Sequence, residues 1–378
     1  MNPLQRRCQA VMLMVLGGML LLAMPLNALD TDIRGQFSGW TVQSKDRSDW
    51  LNITGARYLP QLTLTQMLTD TTFIDAELSL NGFLAHESED LEFDRDLELY
   101  RLKLRLATPQ TETRLGLQKI NFGPAYLLRS LQWFDRLDPR DPQHLTEGVY
   151  ALRFKYNTLT NASLWAWGLY GNDDPKGYER LPSVDDTPEF GGRVQYPLFD
   201  GELAATVHTR RVDASSLKAS DFREYRFALD GRWEVTLGFW FESVLQYQDT
   251  DLIPSDWTRF TTLGADYTFG IGNGVHVLAE HFAAVSAEEP FGWDDDAQLS
   301  AISVEYPLGL FDTFTAIGSY AWETQKYSQY LSWQRSYDTW TLNISAFRYP
   351  DSDADLADVG RQAVGAGYGG QIMVIYYH

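Results

Sequence analysis

The chain of 378 residues has a single cysteine, Cys8, and it lies in the leader-like N-terminus. Downstream of it, disulfides, thiol catalysis, cysteine-ligated zinc, iron–sulfur clusters and c-type haem attachment are all excluded within this polypeptide. Positive charge is scarce. Lysine and arginine number 31 against 51 aspartates and glutamates, a formal net charge of −20, which speaks against a nucleic-acid partner. Histidine is rarer still, with His86, His144, His208, His276, His281 and His378 the whole set. None of them sits in a Ser or Asp motif, and neither Gly-x-Ser-x-Gly nor His-Glu-x-x-His occurs, so an enzyme such as a lipase or protease is the weakest function class. Past the leader there is no apolar run long enough for a membrane helix. Nor is there a repeat of fixed period that would mark a soluble β-helix or propeller.

What is present begins with an export signal. Arg6 and Arg7 form a positive n-region, 10–24 is nearly all apolar, and Pro25 precedes Leu26-Asn27-Ala28, which places cleavage after Ala28. The expected organisation is a signal peptide over 1–28 and one domain over 29–378. Cleavage removes two cations and no acid, so the remainder is more acidic still.

Turn-forming residues cut that remainder into connections that are alternately short and long. Thr108-Pro109-Gln110-Thr111, Leu198-Phe199-Asp200-Gly201, Gly270-Ile271-Gly272-Asn273 and Leu308-Gly309-Leu310-Phe311 are short. The links 87–93, 173–187, 287–296 and 350–362 are longer and acidic. Tight turns on one rim and longer loops on the other are the rhythm of a closed membrane barrel. Between the connections, apolar and polar residues alternate with period 2. Leu237, Phe239, Phe241, Leu245 and Tyr247 oppose Glu242, Gln246 and Gln248, and Trp340, Leu342, Ile344 and Ala346 oppose Thr341, Asn343 and Ser345. Aromatic residues make up 14% of the chain, enough for girdles at both membrane interfaces. The fold class predicted is all-β, a transmembrane antiparallel β-barrel of about 18 strands with 16 as the alternative. The uncertain boundaries are near Lys326 and between Asp49 and Pro60. At that size a barrel is wide enough for an aqueous channel.

The connection 123–145 stands apart because it is long yet apolar, with Tyr126, Leu127, Leu128, Leu131, Trp133 and Phe134. Such a segment is expected to fold inward and narrow the lumen, since long ordered loops are usually functional. Around it, the alternation predicts a basic wall. With Tyr100, Leu102, Leu104 and Leu106 towards lipid, Arg101, Lys103 and Arg105 face inward, and Arg114, Arg153, Lys155, Arg193, His208, Arg210 and Arg226 share that phase. Turning such cations to lipid would cost about 2–4 kcal/mol each near the midplane. The inward loop offers Asp135, Asp138, Arg140 and Asp141, and the far wall Glu242, Asp266, Glu280 and Glu305. Either these groups set up a transverse field that orients polar solutes, or they pair locally and solvate a wide lumen. The Asp294-Asp295-Asp296 run is read as a solvated acidic loop, so no metal site and no cofactor is expected. Gly365-x-Gly367-x-x-Gly370 lies in the last predicted strand with no helix after it and is not a dinucleotide site.

Two stretches carry a family resemblance. Tyr368, Gly370, Met373, Ile375 and Tyr377 follow a spacing that resembles the C-terminal β-signal read by the barrel-assembly machinery, although His378 follows where a terminal Phe or Trp is usual. The run 116–123, Gly-Leu-Gln-Lys-Ile-Asn-Phe-Gly, followed by Asp135, Asp138-Pro139-Arg140-Asp141 and Gly148, resembles a pattern in large Gram-negative porin-like barrels, alginate-export-type barrels among them. Phe122 stands where Trp is commoner and Asp138 where Asn is commoner. The resemblance implies an outer-membrane channel for passive diffusion of small hydrophilic or charged solutes. Its surroundings would be outer-membrane lipid and lipopolysaccharide. The competing reading is a barrel that sheathes a partner, such as a multihaem cytochrome or part of a polysaccharide export complex. The sequence leaves association as a homotrimer open.

Overall fold

The computed structural model describes residues 29–46, 49–87, 93–250, 252, 255–350 and 367–378. The leader and most of the acidic link 350–362 lie outside the described residues. The described residues form one antiparallel sheet of 18 strands. The first nine are β1 Leu29–Asp46, β2 Asp49–Thr69, β3 Thr72–Glu87, β4 Phe93–Ala107, β5 Thr111–Gln118, β6 Val149–Asn157, β7 Ser163–Leu169, β8 Glu189–Leu198 and β9 Gly201–Val212. The rest are β10 Phe222–Glu234, β11 Gly238–Gln248, β12 Trp257–Phe269, β13 Val275–Ala287, β14 Asp295–Pro307, β15 Asp312–Ala321, β16 Lys326–Ser336, β17 Trp340–Arg348 and β18 Tyr368–Tyr377. Each strand pairs with its sequence neighbours, and β1 pairs with both β2 and β18, so the sheet closes on itself and has no free edge.

Period-2 chemistry decides which face looks inward. Along β11, Trp240, Glu242 and Val244 are buried while Phe239 is exposed, and on β12 Leu263 is exposed while Thr262 is buried. Water cannot satisfy polar groups in hydrocarbon, so the apolar phase faces lipid and the polar phase faces the lumen. The short links all fall on one rim. In the tightest, Phe199 and Asp200 both adopt left-handed φ, 49° and 58°, between the paired residues Leu198 and Gly201. That twist matches the right-handed twist of the flanking strands.

The strand number is 18, and the 16-strand alternative is set aside. The two uncertain boundaries are resolved for identifiable reasons. β2 begins at Asp49 and runs through Pro60, because the β2–β3 ladder lapses between Tyr58↔Gly82 and Gln61↔Ser79, where proline's missing donor is not needed. Near Lys326, β15 ends at Ala321, and Gln325, at φ 53°, closes a tight hairpin into β16. Tyr100 also departs from the lipid phase. It is the extra residue of a β-bulge, between the pairs Ser79↔Arg101 and Leu80↔Leu99. Its hydroxyl accepts a hydrogen bond from the Thr146 N–H at 3.3 Å.

Candidate functional site

The lumen is furnished by the connection between β5 and β6, residues 119–148, which contains neither helix nor strand. Its entry is fixed by a glycine. Gly116 has φ +117°, and a Cβ there would lie 2.2 Å from the Leu102 carbonyl oxygen. Gln118, fully buried, donates its amide to the Ala151 carbonyl at 2.8 Å, tying the end of β5 to β6.

The connection is then fastened to strands well round the barrel. Glu242 on β11 accepts the backbone N–H groups of Ala125 at 3.0 Å and Leu131 at 2.8 Å. Glu280 on β13 accepts those of Tyr126, Leu127 and Leu128 at 2.7, 2.8 and 2.6 Å, and the indole N–H of Trp240 at 2.9 Å. Thr262 on β12 donates to the Leu128 carbonyl at 2.6 Å. Buried N–H groups need acceptors, and two carboxylates supply five of them here. Gly123, at φ +93°, makes the approach possible, since a Cβ would come within 2.3 Å of Glu242 Oε1.

Below these fastenings the segment builds a dry core inside the barrel. Ile120, Phe122, Leu131, Trp133 and Phe134 pack against Val149, Ala151, Trp167, Leu169, Ala228 and Val244 on the inner wall. Phe122 stacks on Trp167 at 5.6 Å and meets Trp133 edge-on at 5.5 Å. Asp135, also buried, accepts from Asn121 at 2.9 Å and pairs with Arg129 at 3.3 Å.

Beyond Asp135 the chain crosses to the wall of β16, β1 and β2. Arg140 forks onto Asp138 with bonds of 2.8 and 2.9 Å and lies over the Tyr349 ring at 4.9 Å. Burial works to lower the Arg140 pKa, but the Asp138 bonds outweigh it and hold the guanidinium above its ordinary range. Asp141 accepts the N–H groups of Gln143 and Leu145, each at 3.0 Å, and burial pushes its carboxyl up in spite of them. Tyr330 donates to the Arg140 carbonyl at 3.0 Å, and Gln143 donates to Ser38 at 2.9 Å and accepts from Arg57 at 3.3 Å.

The cations named from the sequence fall into two groups. On β4 to β6, Lys103, Arg105, Arg114 and Lys155 are partly open to the lumen, whereas Arg101 and Arg153 are buried. Lys103 pairs with Glu77 at 2.6 Å and Arg105 with Asp75 at 2.6 Å. Arg114 and Arg153 converge on Glu112, while Arg153 and Lys155 both lie over the Trp165 ring. Arg101 is buried and donates to the Thr146 carbonyl at 2.7 Å and hydroxyl at 2.9 Å. On β8 to β10 they are sealed. Arg193 forks onto Asp230 at 2.6 and 2.8 Å, and Arg210 and Arg226 share Glu224 and Glu179.

Glu179 belongs to a second inward segment, between β7 and β8, that the sequence reading placed among the acidic links. Lys176 there pairs with Glu179 at 3.1 Å and Glu189 at 2.9 Å, and His208 meets Glu189 at 3.1 Å. The Tyr178 N–H donates to the Gln132 carbonyl at 3.2 Å, and burial pushes the Tyr178 phenol up. At Gly177, φ +51°, a Cβ would sit 2.0 Å from the Gln132 carbonyl oxygen, so the two segments touch backbone to backbone. The signal in the sequence was Lys176-Gly177-Tyr178, an acid-free, glycine-bearing interruption of an acidic stretch.

A closed antiparallel cylinder, polar inside and apolar outside, with a long connection folded against its inner wall, is the architecture that solved outer-membrane porins share. Solved structures agree. OccAB4 of Acinetobacter baumannii superposes with a TM-score of 0.61 at 9% identity, covering 94% of this chain and 100% of that one. OmpF of Salmonella typhi gives 0.52 at 11% identity over 94% and 99%. The Vibrio cholerae outer membrane protein OmpT, in a trimer form, gives 0.51 at 14% identity over 93% and 100%. No family model matches the sequence, and no curated protein matches it. At these identities the likeness is one of fold.

Proposed function

We propose that the protein is an outer-membrane channel through which small hydrophilic or charged solutes diffuse passively, delivered by a cleaved leader over 1–28. In this reading the segment 123–145 narrows the lumen opposite the basic wall of Arg101, Lys103, Arg105, Arg114, Arg153 and Lys155. The observation that carries the reading is the fastening of that segment to Glu242 and Glu280, which supports a fixed aperture in place of a mobile loop. A rigid, water-lined aperture with partly open charges selects by size and electrostatics, without a chemical step. Lys119 at its edge is half-buried, and burial lowers its pKa, followed by the nearby Arg129 and Arg101 cations against the pull of Asp135. Trimeric association, the state of the Vibrio cholerae barrel, belongs to the same proposal.

Planar-bilayer recording tests it. Purified, folded protein is expected to give discrete conductance steps, with a reversal potential under a salt gradient that shifts when Arg105 and Arg114 are neutralised. Folded barrels that insert and give no steps would overturn the proposal.

A further inference from the structure

The outer wall of the barrel is not uniform. Across β12 to β16 it holds a trough of about 740 Å³, lined by Leu263, Ala265, Ala279, Ile302, Gly318 and Tyr327. Small residues form its floor, and the exposed Leu263, Ile302 and Tyr327 form its flanks. That volume lies in the range of small-molecule sites, about 300–1,000 Å³. Side chains opposite one another across a ladder share a face, so Ile302, Gly318, Gln329 and Arg348, partners in turn, form one outward row. The row continues through Tyr368 to Lys45 and Trp50. It therefore runs from the trough to the rim that carries the long loops.

At that rim two cations point outward. Arg348 lies over the Tyr327 ring at 5.0 Å, and Lys45 lies over the Trp50 ring at 5.6 Å, with Trp50 edge-on to Tyr368 at 6.4 Å. Two strand spacings, roughly 10 Å, separate them. Among the described residues no carboxylate pairs with either. On a chain of net charge −20, two outward cations with no carboxylate partner among the described residues, set among interfacial aromatics, stand out from the acidic loops. Part of the trough's polar surface is paired internally, since His281 Nδ1 lies 2.9 Å from the Ser300 hydroxyl and the Trp322 indole donates to that hydroxyl at 3.0 Å. Its exposed flanks Leu263, Ile302 and Tyr327 suit an apolar filling.

We propose that this wall is a binding site for an acylated lipid with a phosphate headgroup, one acyl chain lying in the trough and the phosphate held between Arg348 and Lys45. Charge complementarity selects this occupant. A second barrel would fill the trough with its own apolar wall and leave both cations unanswered, whereas a phosphate answers both. The site rests on the membrane placement proposed above, and it is independent of conduction through the lumen.

The test uses the full barrel in phosphatidylcholine nanodiscs containing phosphatidylglycerol, with lipid retained after release counted by native mass spectrometry. The wild type is expected to retain phosphatidylglycerol over phosphatidylcholine, and the double variant Arg348→Gln, Lys45→Gln to lose that preference by about tenfold. Gly318→Leu is expected to reduce retention of both lipids by filling the trough. A Cβ at Gly318 meets only Ile302 Cγ2 at 3.8 Å and Ser328 O at 3.9 Å, so the barrel accepts it. Unchanged preference in the double variant, or displacement of phosphatidylglycerol by inorganic phosphate, would overturn the site. Heat-modifiable migration of each variant certifies folding. A wild-type barrel that never enters the bilayer would instead sink the membrane placement, and a silent barrel that still retains the lipid would sink only conduction.

Discussion

The Glu280 carboxylate and the Leu128 N–H are joined at 2.6 Å across a separation of 152 residues, and the same carboxylate holds Tyr126 and Leu127. Three consecutive donors on one acceptor make this the tightest point of the loop's attachment. Glu280→Gln keeps the size and removes charge and one acceptor oxygen. Each buried donor left unsatisfied costs about 1–3 kcal/mol. The variant is expected to show larger, noisier open-channel currents in planar bilayers, with heat-modifiable migration retained. A current indistinguishable from wild type would show that the loop is held by other contacts.

Gly123 should tolerate no side chain. Its φ of +93° and the 2.3 Å approach to Glu242 Oε1 both oppose even alanine. Gly123→Ala is expected to release the Ala125 and Leu131 bonds together and to reproduce the electrical phenotype of Glu242→Gln. The double variant should add little to either single one, because residues in one network are not additive.

Asp230→Ala leaves Arg193 without its carboxylate in a site where both side chains are 3% exposed. Breaking such a buried pair costs about 3–5 kcal/mol, whereas replacing both members with apolar residues is close to neutral. The single variant is expected to lower the urea midpoint of barrel unfolding, and Asp230→Leu with Arg193→Met to restore it.

Lys119 gives a pH dependence. Its pKa in the folded barrel is lowered chiefly by burial, so its charge disappears as pH rises through a value below the usual 10.5. The linkage sign is that the folded state binds this proton more weakly than the unfolded chain does. The associated penalty is therefore full at neutral pH and relieved on alkalinisation. Reversal potentials measured from pH 7 upward should drift towards cation preference before ordinary lysines titrate. Lys119→Gln should abolish that early phase.

The barrel was legible because each strand repeats one simple rule. In β11, Phe239 and Glu242 had to fall on opposite faces, and period 2 alone announces it. That Trp133 and Phe134 are buried was readable, since 123–145 is too apolar for a solvated loop. Its attachment was not. Glu242 and Glu280 read as a far acidic wall because a backbone N–H partner has no sequence signature. Charge pairing suffered in the same way. Arg226 and Glu179 are 47 residues apart and meet only because the segment between β7 and β8 turns inward. The bulge at Tyr100 was missed since one inserted residue reverses the phase that follows it.

The ladder between β1 and β18 ends with Gly35 and His378 exchanging bonds of 3.0 and 3.1 Å. A cylinder sealed by its first and last staves cannot be completed in stages. Seventeen hairpin neighbours can zip locally, but the seam must wait for partners more than 300 residues apart to meet, the slowest kind of encounter a chain can make. Until then both outer strands offer unpaired backbone to whatever strand is nearby. A substitution that weakens the seam is therefore expected to act on the yield of assembled barrels far more than on the behaviour of those already closed.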